Sequence, residues 1–310
     1  MAKPIKRPSR PGPGRPPTGH GEGGRLPGIR RILEPLVAEV LRLRGALMSE
    51  AGPANVHALR GALRRTRAAI SLFAAASVPD DAAWVRRELK WLTREFGATR
   101  DLDVLVERLG KPKSAYSPRA RGDDILFGAA GQARASAAAI ALAAAASARA
   151  TFVVSGLGSW IEQLSQAPLN SALTDPSGSS VALSRDDAKI RRRGAHIGKL
   201  GRKARHKLRG RIRTLRYKAE ALSQLNPRDQ DHRYIGSLTA LHQILGDMND
   251  IDVGDRLAGK LSATSQRSLR SGHGRRAGGA RRRKLKAAWA DFEAASKMGP
   301  PTSSGATGYA

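Results

Sequence analysis

Shifted by 149 residues, the sequence lands on itself at positions that composition does not favour. His57 falls on His206, Arg60 on Arg209, Arg64 on Arg213 and Arg67 on Arg216. The same shift carries "FGATRDLDV" (Phe96 to Val104) onto "LGDMNDIDV" (Leu245 to Val253), matching Gly97 with Gly246, Asp101 with Asp250 and Asp103 with Asp252. Two motifs recurring together without a relative gap mark an internal duplication, and each copy must supply one half of the fold.

Between the ends of the chain the dominant residues are alanine, leucine and arginine, all strong helix formers, while aromatic residues are 4% and β-branched runs are scarce. The expected fold class is therefore all-α, two pseudo-symmetric helical bundles arising from the duplication. Helices are expected near 29–49, 54–76, 80–97 and 101–109, then over 125–166 with a break near Ser147. The second half should carry helices near 183–200, 203–223, 231–246, 250–262 and 281–296. Residues 1–28, rich in Pro, Gly and Arg, read as a disordered basic tail. The first bundle then spans 29–166, a linker 167–182, the second bundle 183–298 and a loose tail 299–310.

The net charge of +29 repels itself and is easiest to explain if the partner is a polyanion. Nucleic acid, an anionic membrane and inorganic polyphosphate are all open on charge alone. With no cysteine, disulfides, thiolate metal sites and cysteine nucleophiles are excluded. The alanine-rich tract from Ala135 to Ala148 reads as too short and too weakly apolar to span a bilayer. No secretory signal is visible, so the expected location is the cytoplasm.

The charge has a geometry. At about 100° per residue, Arg60, Arg64 and Arg67 lie within about 80° of His57, whereas Leu59, Leu63, Thr66, Ile70 and Phe73 gather on the opposite side. In the second copy His206, Arg209, Arg213 and Arg216 share one arc with Arg202 and Tyr217, and Leu208, Ile212, Leu215 and Leu222 share the other. Like charges at these spacings cost a few tenths of a kcal/mol per pair, and a face shaped only for solubility would mix signs. A ladder about 15 Å long suits a linear anion, because guanidinium forks match phosphate oxygens bidentately and keep their protons. A histidine among arginines is biased towards its neutral form until an anion binds.

The glycine–aspartate motifs read as a helix C-cap at Gly97 and Gly246, followed by a new helix with Asp101 and Asp250 favouring its N-terminal dipole. The paired aspartates invite a Mg²⁺ reading, but two acids two residues apart on a helix diverge by about 200°, which favours structural acids. No metal site and no cofactor are expected.

The segments "VHALRGALRRTRAAI", "WLTREFGATRDLDVL", "HKLRGRIRTLRYKAEAL" and "LHQILGDMNDIDV" together resemble the CHAD domain, the conserved-histidine α-helical domain, in the family's own order. Residues 29–298 would then form one such domain. The resemblance implies a basic channel between two bundles, inorganic polyphosphate as ligand and association with polyphosphate granules. Carried over, the contacts are His57, Arg60, Arg64, Arg67, His206, Arg209, Arg213 and Arg216, with Arg65, Arg202, Arg205 and Tyr217 as neighbours. Gly210 departs from the aliphatic residue usual in the family. The basic tail and the tract 271–286 lie beyond the family core and would add unspecific affinity for nucleic acid. The E-x-E-x-K pattern of the CYTH domain, a frequent fusion partner, does not occur, nor does a Walker loop or a nucleophile elbow. The expectation is a stand-alone, non-enzymatic polyphosphate-binding module. A nucleic-acid-binding protein, and an enzyme using His57 or His206 as phosphoryl acceptor, remain as alternatives.

Overall fold

The computed structural model describes residues 27–73, 79–110, 121–166, 176–225, 227–264 and 275–302. The described residues are mostly helical, with no strand among them. The first half contains α1 (Pro27–Ser49), α2 (Pro53–Phe73), α3 (Pro79–Glu95), α4 (Gly97–Gly110), α5 (Arg121–Ala146) and α6 (Ala148–Gln166). The second contains α7 (Pro176–Gly194), a short 3₁₀ turn, Ile197–Lys199, then α8 (Arg202–Ser223), α9 (Asp229–Thr264) and α10 (Arg275–Lys297).

Local chemistry sets several of these boundaries. Four helices begin at a proline, whose fixed φ suits the first helical position and whose missing N–H is not needed there. The break expected near Ser147 is real: its hydroxyl oxygen accepts a hydrogen bond from the Ala150 amide at 3.1 Å and so caps α6.

The halves obey the 149-residue shift beyond the motifs. Pro27 maps onto Pro176, so α1 corresponds to α7, and Pro53–Phe73 maps onto the span of α8. In each half the ladder helix packs on the first helix and on the one that follows it. The halves meet through α2 against α8 and α4 against α9. One continuous core joins them, from Leu33, Leu59, Leu63 and Phe96 in the first half to Leu208, Ile212, Leu215 and Leu245 in the second. Each fully buried side chain of this size contributes about 1.5–3 kcal/mol.

Several boundaries differ from the sequence reading. The linker expected over 167–182 is shorter, because α7 already starts at Pro176; residues 167–175 lie outside the described residues. The basic tail of 1–28 also falls outside them, except that α1 takes in residues 27 and 28. The loose tail expected from residue 299 is held at its start, where Pro300 and Pro301 are buried; 303–310 are outside the described residues. Helix α10 runs through much of the 271–286 tract, starting at Arg275.

The glycine caps are overturned. Among the described residues Gly299 is the glycine with a left-handed φ, at 91°. Gly246 lies inside α9, which runs unbroken where two helices were expected. A β-carbon there would sit 3.5 Å from the Arg209 guanidinium, an ordinary contact distance, so Arg209 packs against the helix at this point. Between α3 and α4 the chain turns at Phe96, which is fully buried. Asp101 then falls beyond the first turn of α4, which holds no acid.

Helix α5 begins earlier than expected. Its Asp124–Ala146 stretch is long and apolar enough, by length and composition, to cross a bilayer. In this fold Ala130, Ala137, Ala141 and Ala145 are buried, the Thr99 hydroxyl donates to the Ala137 carbonyl at 2.9 Å, and Arg134 pairs with Asp103 at 2.6 Å.

The second half is tied by a buried carboxylate. Asp187 of α7 is 2% exposed and accepts from Tyr234 of α9 at 2.8 Å, Ser296 of α10 at 2.6 Å and Arg191 at 2.9 Å. Burial first, and then Asp187, push the Tyr234 phenol upward, so it stays a donor. Nearby, the Trp289 ring packs onto Gly194, where a β-carbon would lie 1.9 Å from it. Asp187→Ala leaves Tyr234 and Ser296 hydroxyls without their acceptor and is expected to cost about 3 kcal/mol, read as a lower urea midpoint.

Candidate polyanion-binding cavity

The apolar stripes of α2 and α8 bury themselves in the common core, which turns both cationic stripes toward the space between the halves. There they line a single cavity of about 680 Å³. Its walls carry His57, Arg60 and Arg64 from α2, and Arg202, His206, Arg209, Arg213, Arg216 and Tyr217 from α8. The ladders feel each other: burial first, and then the facing Arg213, push the Arg64 guanidinium down to about 8. Arg213 is pushed down to about 10, by burial and then by Arg209. Arg60 is lowered by burial too, against the attraction of Asp101. A guanidinium keeps its proton at neutral pH, so this crowding is relieved by an anion rather than by deprotonation.

Carboxylates do not cancel the centre of the site. Among the described residues no ion pair reaches Arg60, Arg64, Arg209 or Arg213. The Nε donors of Arg60, Arg209 and Arg216 are buried without an acceptor. At the margins Asp252 holds Arg202 at 2.9 Å, and Glu220 lies 3.6 Å from Arg216. The Arg216 guanidinium also stacks 4.8 Å above the Tyr217 ring. Asp101 sits in the wall as well, raised by burial despite Arg60 and Arg256. It and Asp250 therefore face arginines across the cavity instead of favouring helix dipoles.

Three of the expected contacts lie elsewhere. Arg65 turns to the flank and pairs with Glu39 of α1 at 3.2 Å. Arg205 points back to the Leu200 carbonyl at 2.9 Å and to Asp252 at 3.2 Å, fixing the start of α8. Arg67 lines a second cavity, of about 480 Å³, rather than the first.

The structure also adds residues: Arg100 and Lys203 in the walls, Arg256 and Asn249 from α9, and His242. Their repeat counterparts differ, since Arg100 matches Asn249, Arg256 matches Glu107 and His242 matches Thr93. A search for duplicated positions passes over them. His206 Nδ1 lies 2.7 Å from the Asn249 side-chain oxygen, whereas His57 is pushed down by burial, then Arg100, then Arg64.

Together the fold and site define an internally duplicated, all-helical protein with a cationic cavity between its halves. The chain belongs to the CHAD domain family, which matches residues 31–259. Among solved structures it is similar to the CHAD domain from the plant Ricinus communis, with 22% identity and a TM-score of 0.62 over 91% of this chain and 89% of that one. It is also similar to PptA from Streptomyces chartreusis, with 19% identity and a TM-score of 0.61 over 89% and 100% of the two chains. A search of curated proteins finds no match. The family is associated with polyphosphate-related proteins.

His242 supplies a test of the cavity's electrostatics. Burial, then Arg209 and Arg213, push its imidazole down to about 3 from 6.5. Its neutral form is therefore accommodated in the folded protein, and the stability present above pH 6.5 is lost as pH falls toward about 3. Against His242→Gln, the wild type is expected to lose about 1 kcal/mol more between pH 7 and about 5, after allowing for solvent screening. Urea midpoints across that range check it.

Proposed function

We propose that this chain is a non-enzymatic inorganic polyphosphate-binding protein, acting in the cytoplasm at polyphosphate granules. The observation that carries this reading is the facing of two guanidinium ladders across one cavity, with Arg60, Arg64, Arg209 and Arg213 free of ion pairs among the described residues. A linear polymer with a charge on every unit can engage both rows at once, with each fork taking two phosphate oxygens. The two rows then act as one multivalent site, so affinity rises beyond that of either row.

Binding without turnover suits the chemistry of these groups. Guanidiniums hold charge and donate hydrogen bonds but neither take up nor release a proton at neutral pH. Base stacking, which sequence-tolerant binders of single-stranded nucleic acid use, has one aromatic to work with among the lining residues, Tyr217.

The discriminating experiment titrates the protein with long-chain polyphosphate and with DNA of matched charge at about 0.15 M salt, while assaying released phosphate. Tight polyphosphate binding without phosphate release is expected; equal affinities would favour nucleic acid, and release would favour an enzyme. Replacing Arg60, Arg64, Arg209 and Arg213 with alanine should weaken polyphosphate binding at least ~100-fold, at about 1.5–3 kcal/mol per lost charged hydrogen bond, and leave helicity unchanged.

His57 gives the reading a pH signature. It is held down in the free protein by burial and by Arg100, Arg64 and Arg60. A bound phosphate reverses that bias, so protons are taken up on binding and affinity rises as pH falls through about 6–7. A dissociation constant flat across that range would remove His57 from contact, and His57→Gln should abolish the slope it contributes.

A further inference from the structure

We propose that the anion track does not end between the ladders but turns past Arg64 and Arg213 onto α3, where Arg67, Arg86, Arg87 and Lys90 form an exit segment. It rests on the polyphosphate reading above and makes this chain selective for long polymers over short oligophosphates.

The second cavity, of about 480 Å³, shares Arg64, Arg213 and Tyr217 with the first, so the two spaces meet along one line of side chains. Its far wall is α3. Lys90 stands four and three residues from Arg86 and Arg87 on that helix, within one arc of about 100°, and all three are exposed. Among the described residues no carboxylate lines this cavity. The one acid beside these cations in sequence, Glu88, is buried and bound by both Nε and Nη2 of Arg149 at 2.7 and 3.1 Å. Around these cations the charges are sorted, with Glu88 inward to α6 and the cations toward the cavity.

The duplication shows that folding does not require these cations. Under the 149-residue shift, α3 corresponds to the first part of α9. The core positions agree: Val85 with Tyr234, Leu89 with Leu238 and Leu92 with Leu241, all buried. The cationic positions do not, for Arg86, Arg87 and Lys90 become Ile235, Gly236 and Thr239. The scaffold was kept in both copies, and the positive charge stands in one. The track is consequently lopsided, extended at the first-half side only. A ladder about 15 Å long is filled by a short oligophosphate. Only a longer polymer also reaches α3.

The test uses the full chain, tripolyphosphate and long-chain polyphosphate, with the variant Arg86→Ala/Arg87→Ala/Lys90→Ala. A matched control, Arg282→Ala/Arg283→Ala/Lys284→Ala, makes the same change in net charge on exposed positions of α10. The α3 variant is expected to weaken long-chain binding at least ~10-fold, with its salt dependence shallower by about 2 in log–log slope for three lost contacts. The loss for tripolyphosphate should be several-fold smaller. The glutamine version of the variant guards against a folding defect, and must give the same result. Equal losses for both ligands, or a control variant that loses as much as the α3 variant, would overturn the exit segment while leaving the ladder site standing. Failure of the wild type to bind either phosphate would instead sink the functional reading and this inference with it.

Discussion

Four guanidiniums from two helices are held facing one another, none of them in an ion pair among the described residues, and the fold must supply the force that keeps them there. The opposite faces of the same helices supply it. Leu59, Leu63 and Ile70 on α2, and Leu208, Ile212 and Leu215 on α8, are buried in a core shared by both halves. Each contributes about 1.5–3 kcal/mol, while each like-charged pair along a helix costs a few tenths. The apolar term wins by a wide margin. The helices that carry the rows are therefore held in place without a ligand.

Duplication explains how such a site arises and also where it stops. The core and the two ladders obey the 149-residue shift, and so do the first helix of each half and the helix that follows the ladder. Other features belong to one half. Asp187, which ties α7, α9 and α10, corresponds to Ala38. Helix α6 is held to α3 by the Arg149–Glu88 pair and has no counterpart among the described residues. The halves thus share the cavity wall but are braced from behind by different means.

The same distinction decides what could be read from the sequence. Helix class, the duplication and both ladders were legible because each repeats at a fixed period or offset. The start of α7 was misread because "DPSGSS" is rich in turn residues, although the shift that places Pro27 on Pro176 would have located it. Gly246 was misread because glycine after an apolar run is a common helix stop, whereas here α9 runs straight through it. Arg65 and Arg205 look like ladder residues on a helical projection. Their removal from the cavity is set by Glu39 and Asp252, on other helices. His242 and Arg256 escaped notice because they have no repeat partner of the same kind.

The two ends of the cavity are chemically unlike, and this follows from one substitution within the duplication. At the His57 end the equivalent position holds Arg100, a further cation; at the His206 end it holds Asn249, whose carbonyl oxygen meets the ring at 2.7 Å. An arginine beside a histidine raises the cost of protonating the ring. An amide oxygen only fixes the ring by a neutral hydrogen bond. A pseudo-symmetric scaffold thus presents an unsymmetrical field.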